Sequence, residues 1–322
     1  MVNFIYLITG LILIIISSEI LIQKSVKLAL NFNVSSFIIG ITIVAVGTST
    51  PELIVGIISA ISKENGLAFG AVVGSGITNI CLTLGLCAII MVLPIKRQFY
   101  FFEIPIMIAT ALLMALLAFN DHVLSRIDGI ILILGYAIFI IYVFKSSKNM
   151  NIPHDEEMLE EIAEEQHNKP HEKFKTTDTL LLLLSIIILI VAGRLIVWGG
   201  TGVAESFHFS KEAIGASVVA LGTCMPELVA SLLALRRKET DIALGNCIGS
   251  NIFNILIVLG VSTLINPIVI NTNIIIQVSV FIAVSILLLC ISIARKKIGR
   301  VTGIFFVIIY FSVMVMTLGK MI

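Results

Sequence analysis

Two carboxylates, Glu52 and Glu227, stand in matching hexapeptides, GTSTPE (47–52) and GTCMPE (222–227), 175 residues apart. Both fall near the middle of long apolar stretches. An acid at bilayer depth costs at least a few kcal/mol and marks ion or proton paths. A lone acid would be explained by a basic partner. No Lys or Arg shares either hexapeptide, and the acid occurs twice at equivalent positions.

The neighbouring residue types extend the pattern. On a helix, Thr48 and Ser49 lie four and three residues before Glu52 and share its face. Thr223 is placed likewise before Glu227. Further on, GSGITN (74–79) and GSNIFN (249–254) set Ser75 with Asn79, and Ser250 with Asn254, on one face of each helix. Pro51 and Pro226 carry no N–H, which frees the Gly47 and Gly222 carbonyls. Freed carbonyls are tolerated at membrane depth where they line a site. The set is one of hard oxygens, and calcium takes roughly six to eight of them. Soft zinc or copper ligands are missing, since His122, His154, His167, His171 and His208 all lie outside the motifs.

The hexapeptides belong to a longer repeat. The segment from Phe37 to Gly85 aligns without a gap with that from Glu212 to Gly260, pairing Gly47/Gly222, Pro51/Pro226, Gly74/Gly249, Ser75/Ser250 and Asn79/Asn254. Around it lie ten stretches of spanning length: 3–23, 36–62, 66–92, 101–120, 126–145, 177–200, 211–236, 241–265, 271–294 and 301–320. The expected fold is an all-α polytopic membrane protein of ten transmembrane helices in two five-helix repeats, 1–145 and 177–322, joined by a linker at 146–176. Five spans is an odd number, so the second repeat inserts upside down. Inverted repeats with interrupted helices place ion sites near the midplane.

Composition agrees. The chain is 58% hydrophobic and 13% charged, with mean hydropathy +1.10, against about a quarter charged in a soluble domain. A net charge of +1 gives no reason to expect a nucleic-acid partner. None of the five cysteines forms a C-x-x-C pair, so neither a disulfide framework nor a zinc site is expected. The start, MVNFIYLITG, reads as a retained span rather than a signal peptide. Basic residues concentrate in alternate connections: Lys24 and Lys27, Lys96 and Arg97, Lys145 and Lys148, Arg236–Lys238, and Arg295–Lys297 with Arg300. By the positive-inside rule these connections are cytoplasmic and both termini lie outside, in a plasma-membrane protein. The linker's acidic run from Asp155 reads as a solvated loop or as a regulatory cation site; an EF-hand pattern is absent.

GTSTPE with GSGITN, and GTCMPE with GSNIFN, resemble the two alpha-repeats of the cation/calcium exchanger superfamily, in its sodium/calcium exchanger branch of prokaryotic type. The resemblance covers essentially all ten stretches. It implies Ca2+/Na+ antiport by alternating access, with the first and sixth helices sliding over the other eight. It implies no enzyme activity, no cofactor beyond the transported Ca2+ and Na+, and no obligate partner besides the bilayer. Glu52, Glu227, Thr48 and Thr223 would hold calcium. Ser49, Ser75, Ser250 and the Ala45 and Ala220 carbonyls would serve flanking sodium sites, and Asn79 and Asn254 would lend amide oxygens. The chain departs from the pattern at three positions. Cys224 stands where the first repeat has Ser49. Asn254 stands where potassium-dependent relatives carry Asp. Gly76 stands opposite Asn251. A further expectation concerns Glu19 and Arg194, also 175 apart: an ion pair, or separate snorkelling at the interface. The rival readings are a proton-coupled calcium antiporter, an intramembrane protease, for which no catalytic pattern is visible, and a passive channel.

Overall fold

The computed structural model describes residues 2–32, 35–63, 65–120, 122–149, 174–206, 220–270 and 274–319. Within them the chain is almost entirely helical. We number the helices α1 (Val2–Phe32), α2 (Ser36–Thr48), α3 (Thr50–Ile61), α4 (Ala68–Ile90), α5 (Phe99–Asn120), α6 (Arg126–Asn149), α7 (Thr176–Ser206), α8 (Ala220–Arg236), α9 (Thr240–Ile265), α10 (Ile275–Arg295) and α11 (Arg300–Gly319). Among the described residues, seven helices are long and apolar enough to cross a membrane. The pair α2–α3, bent by 44°, makes an eighth if taken as one span. The acidic run and residues 211–219 of the seventh apolar stretch lie outside the described residues.

Burial separates two kinds of helix. In α4 and α9, 78% of the most apolar window is buried, against 22% in α6 and 33% in α1 and α7. The exposed side chains of the outer helices are large and apolar, among them Ile12, Ile16, Leu134, Ile138, Leu184, Ile187, Ile304 and Ile308. Such a belt is stable only against lipid. The polar motifs therefore sit on the innermost helices, behind an apolar sleeve.

Four two-residue strands close the ends. Leu93–Pro94 (β1) pairs antiparallel with Lys297–Ile298 (β4), and Val123–Leu124 (β2) with Ile268–Val269 (β3). Each pair takes one strand from each half of the chain, so the halves interlock reciprocally. Glycines do the same: Gly85 packs on the backbone of Gly303, and Gly260 on that of Gly129. Gly40, Gly245 and Gly249 let α2 and α9 meet backbone to backbone. A Cβ at Gly249 would stand 2.5 Å from the Ile41 carbonyl oxygen, the close approach that small residues permit between membrane helices.

α1 and α7 pack antiparallel along most of their length, with Gly10 on Ile196, Gly199 on Leu7, and Asp178 holding Lys24 and Lys27 at 2.7 and 2.9 Å. This register corrects one expectation. Arg194 is level with Gly10, about nine residues or ~14 Å along the axis from Glu19. The two form no pair: Arg194 is exposed, and Glu19 instead meets Arg237 at the end of α8. Lys96 pairs with Asp241 at 2.8 Å. These ion pairs, with β1–β4, bring together the connections that carry the basic residues.

Candidate functional site

The site begins where α2 stops. Thr42 returns its hydroxyl to the Ile38 carbonyl and Thr50 returns its own to Val46. A π-helical segment at Gly40–Val44 widens the helix, and Ser49, at φ −87°, ψ 6°, breaks it. Pro51 then sits in the first turn of α3, where its missing N–H costs nothing, and Glu52 follows in that turn. A carboxylate there also meets the positive end of the helix dipole. The Gly47 carbonyl loses its partner at Pro51, as the sequence suggests. The second half differs: α8 runs unbroken through Pro226. Gly193 of α7 passes over Pro51, where a Cβ would lie 3.7 Å from that ring.

α4 and α9 approach the same region with matched irregularities. Each contains a π-helical turn, Thr78–Leu84 in α4 and Asn254–Leu259 in α9. Asn79 and Asn254 stand at their starts. Extra-residue turns of this kind re-aim side chains and are frequent at functional sites.

The expected residues are buried, and several are in contact. Glu52, Glu227, Thr48, Ser49, Ser75, Asn79, Ser250, Asn254 and Thr223 are all buried, and Ala45 lines the same helix. Ala220 opens the described part of α8. Ser49 Oγ donates to Glu227 Oε1 at 2.8 Å, joining the halves. Asn254 Nδ2 donates to Ser75 Oγ at 3.0 Å, and Asn79 Nδ2 to Asn251 Oδ1 at 3.0 Å. In both asparagines the amide nitrogen is tied back and the oxygen is left open. The Ala45 carbonyl already accepts the Ser49 N–H at 3.0 Å and the Thr48 hydroxyl at 3.3 Å.

What lacks a partner defines the chemistry. Glu52 Oε1 and Oε2, Glu227 Oε2, Asn79 Oδ1, Asn254 Oδ1 and Ser250 Oγ are buried without a hydrogen bond. Thr223 and Cys224 approach the Glu52 carboxylate without completing a hydrogen bond to it. Buried polar atoms are nearly always satisfied. Three of these six oxygens are on carboxylates, so the motifs bring buried acceptors without matching donors; Ser18, Ser25, Glu103, Ser262 and Thr263 also carry unpartnered atoms. Among the described residues no three His, Cys, Asp or Glu side chains converge as in a dedicated transition-metal centre.

Two residues escaped the sequence reading. Asn246 Oδ1 accepts the Thr48 hydroxyl at 3.0 Å, while its Nδ2 donates to the Glu227 carbonyl at 3.2 Å and to Ser231 Oγ at 3.0 Å. The signal was present: Asn246, Ser250 and Asn254 recur every four residues and form one polar stripe. The first repeat hides it, because Ala71 stands opposite Asn246. Asn251 accepts from Asn79 and rests its own amide on Met107 Sδ at 3.4 Å. Its counterpart Gly76 is required by packing, since a Cβ there would lie 2.6 Å from the Phe281 ring.

Comparison with known proteins gives a consistent result. A family described as "Sodium/calcium exchanger protein" matches residues 2–145 and 177–319. The putative antiporter CaxA of Alkalimonas amylolytica is 35% identical over 301 residues, covering 93% of this chain and 92% of that one. The sodium/calcium exchanger MaX1 of Methanosarcina acetivorans is 29% identical, covering 98% of each. The solved structure of the sodium-calcium exchanger NCX_Mj, soaked with Na+ and Sr2+, superposes with a TM-score of 0.81 at 30% identity, covering 97% of each chain. With the duplicated acidic motif, the buried carboxylate pair and the full-length match, this chain belongs to the sodium/calcium exchanger protein family.

Proposed function

We propose that the protein is a secondary active antiporter that exchanges Ca2+ for Na+ across the plasma membrane by alternating access. The observation that carries the reading is the pair of buried carboxylates, Glu52 and Glu227, close enough to interact and each with at least one oxygen that has no hydrogen-bond partner. Thr48 donates its proton to Asn246, which leaves its lone pairs for a cation. Glu52, Glu227, Thr48 and Thr223 hold calcium. Ser49, Ser75, Ser250 and the Ala45 and Ala220 carbonyls serve sodium.

Charge counting sets the energetics. Two ionised glutamates and one calcium sum to zero; with three sodium ions they sum to plus one. Three-for-one exchange is therefore electrogenic, each charge being worth about 2.3 kcal/mol per 100 mV. Inward sodium and a negative interior drive calcium out.

The architecture we infer is ten spans in two inverted repeats, 1–145 and 177–322, joined by a cytoplasmic linker at 146–176. The reciprocal strand pairs and glycine contacts support it. The bias of basic residues places both termini outside. An impermeant thiol reagent should fail to label a cysteine placed at Asn151 in intact cells; ready labelling would invert this orientation.

The deciding experiment is calcium-45 uptake into liposomes loaded with sodium, potassium or choline, or carrying a pH gradient. Saturable uptake that requires internal sodium supports exchange. Uptake driven by the pH gradient without sodium makes the protein a proton-coupled antiporter, and non-saturating uptake independent of any counter-ion makes it a channel.

A further inference from the structure

Cys224 gives the Glu52 half of the site a chemistry that the Glu227 half lacks. In the first repeat the equivalent Ser49 hands its hydroxyl to Glu227 at 2.8 Å. In the second, the thiol takes that place. It is 2% exposed and lies against Glu52, Thr223 and Ser75. Glu52 beside it is 3% exposed, and neither of its oxygens has a hydrogen-bond partner. A weak thiol donor does not satisfy a carboxylate as a hydroxyl does. The pair is instead a soft ligand and a hard one, both buried and side by side.

We propose that this half of the site binds thiophilic divalent cations, with Cys224 Sγ and Glu52 as the anionic ligands and the Ser75 and Thr223 hydroxyl oxygens beside them. Cadmium, soft and of about calcium's size, is the probe. The proposal rests on the reading of this region as the cation path and adds a second class of ion to it. On ligation the thiol proton passes to water and sulfur binds as thiolate, which a bound divalent metal enforces. The thiolate and Glu52 then balance the metal's two charges, and the charge of Glu227, which also faces Cys224, is left for a monovalent cation. Two anionic ligands, rather than the four of a closed structural zinc site, keep the ion exchangeable. Sodium and calcium gain little from sulfur, whereas soft cations gain much. The substitution therefore shifts selectivity toward soft divalent ions.

The test uses the purified full chain and equilibrium binding. Cadmium is titrated while the ultraviolet sulfur-to-cadmium charge-transfer band and displacement of bound calcium-45 are followed. The starting protein should show the band at one cadmium per chain. The ratio of cadmium to calcium affinity should fall roughly tenfold or more in Cys224→Ser, about 1.4 kcal/mol or more, with loss of the band. Glu52→Gln should weaken cadmium while leaving the thiol in place. An unchanged affinity ratio in Cys224→Ser would overturn the proposal. So would a band that survives in Cys224→Ser and disappears in Cys247→Ser, which would place the metal at the other buried thiols. Neither readout needs flux, so a failure of sodium-driven transport bears on the exchange reading alone.

Discussion

The Ser49 hydroxyl and the Glu227 carboxylate meet at 2.8 Å across the two halves of the chain. The reciprocal contact, between Cys224 and Glu52, is weaker: the thiol is within range of the carboxylate but forms no hydrogen bond of normal geometry with it. The two carboxylates are thus equivalent in sequence and unequal in surroundings. One oxygen of Glu227 is held by that short hydrogen bond; Glu52 has only the looser approach of Cys224 and Thr223. A further asymmetry follows from Asn246, which takes the Thr48 hydroxyl while its counterpart, Ala71, has no side chain with which to take that of Thr223.

Glu52→Gln and Glu227→Gln each remove one of two anionic ligands from a buried site. Loss of one buried charge partner costs about 3–5 kcal/mol, so calcium flux should fall at least roughly a hundredfold while the protein still elutes as a folded particle. Flux near the starting rate in either variant would remove the carboxylates from the ion path.

Asn246→Ala deletes three buried hydrogen bonds, to the Thr48 hydroxyl, Ser231 and the Glu227 carbonyl. Each lost hydrogen bond costs about 0.5–1.5 kcal/mol. The expected outcome is a lower melting temperature in detergent together with weaker apparent calcium affinity. Thr48→Val should lower affinity and, made on top of Asn246→Ala, add less than it does alone. Full additivity would show that Asn246 acts apart from Thr48.

The fold was legible where physics is repetitive. Apolar stretches of spanning length marked the helices; among the described residues seven are long and apolar enough to cross a membrane, and the bent α2–α3 pair makes an eighth if taken as one span. The gapless repeat brought out Glu52, Glu227, Ser75, Asn79, Ser250 and Asn254 together. What stayed hidden depends on rotational phase and register. The π turns at Asn79 and Asn254 leave no composition signal. The match of Glu19 with Arg194 came from repeat offset alone, whereas antiparallel packing of α1 on α7 sets the actual partners. The break at Ser49 and the unbroken passage through Pro226 arise from nearly identical hexapeptides, so tertiary context decides between them.

Asp178 is the clamp of the α1–α7 pair. Its carboxylate, 5% exposed, holds Lys24 and Lys27 together. Asp178→Asn leaves two like charges, Lys24 and Lys27, facing each other without the carboxylate that holds them. The variant should melt earlier. Arg237→Gln should change stability by less than about 1 kcal/mol, because the Glu19–Arg237 pair is half exposed. Equal melting temperatures for Asp178→Asn and the starting protein would show that glycine packing alone holds these helices together.

Asn254 bears on potassium. Its amide nitrogen is committed to Ser75 Oγ and its oxygen is neutral. With Asp at this position, a third carboxylate would need an extra cation for charge balance; with Asn it does not. Calcium flux in sodium-loaded vesicles should be unchanged when potassium replaces choline outside. A strict potassium requirement would mean that another group supplies the missing charge.

Cys224 also bears on sodium, and here the two halves of the site give opposite expectations. A thiol is a poorer ligand than a hydroxyl for a hard cation. The sodium position beside Glu52 therefore has a weaker shell than the one beside Glu227, where Ser49 supplies oxygen. Thr223 remains next to Glu52, so calcium keeps its ligands. The consequence is a high sodium concentration at half-maximal exchange, or a drop to two sodium ions per calcium. The second case is electroneutral, since two glutamates and two sodium ions sum to zero. Cys224→Ser restores the repeat. It should lower the sodium concentration at half-saturation, keep or raise the Hill slope, and confer or strengthen voltage dependence. The measurement is sodium-driven calcium-45 flux in proteoliposomes at clamped potential, over a sodium series. If half-saturation, slope and voltage dependence all stay where they were, the thiol lies outside the sodium shell and its contact with Glu52 is packing.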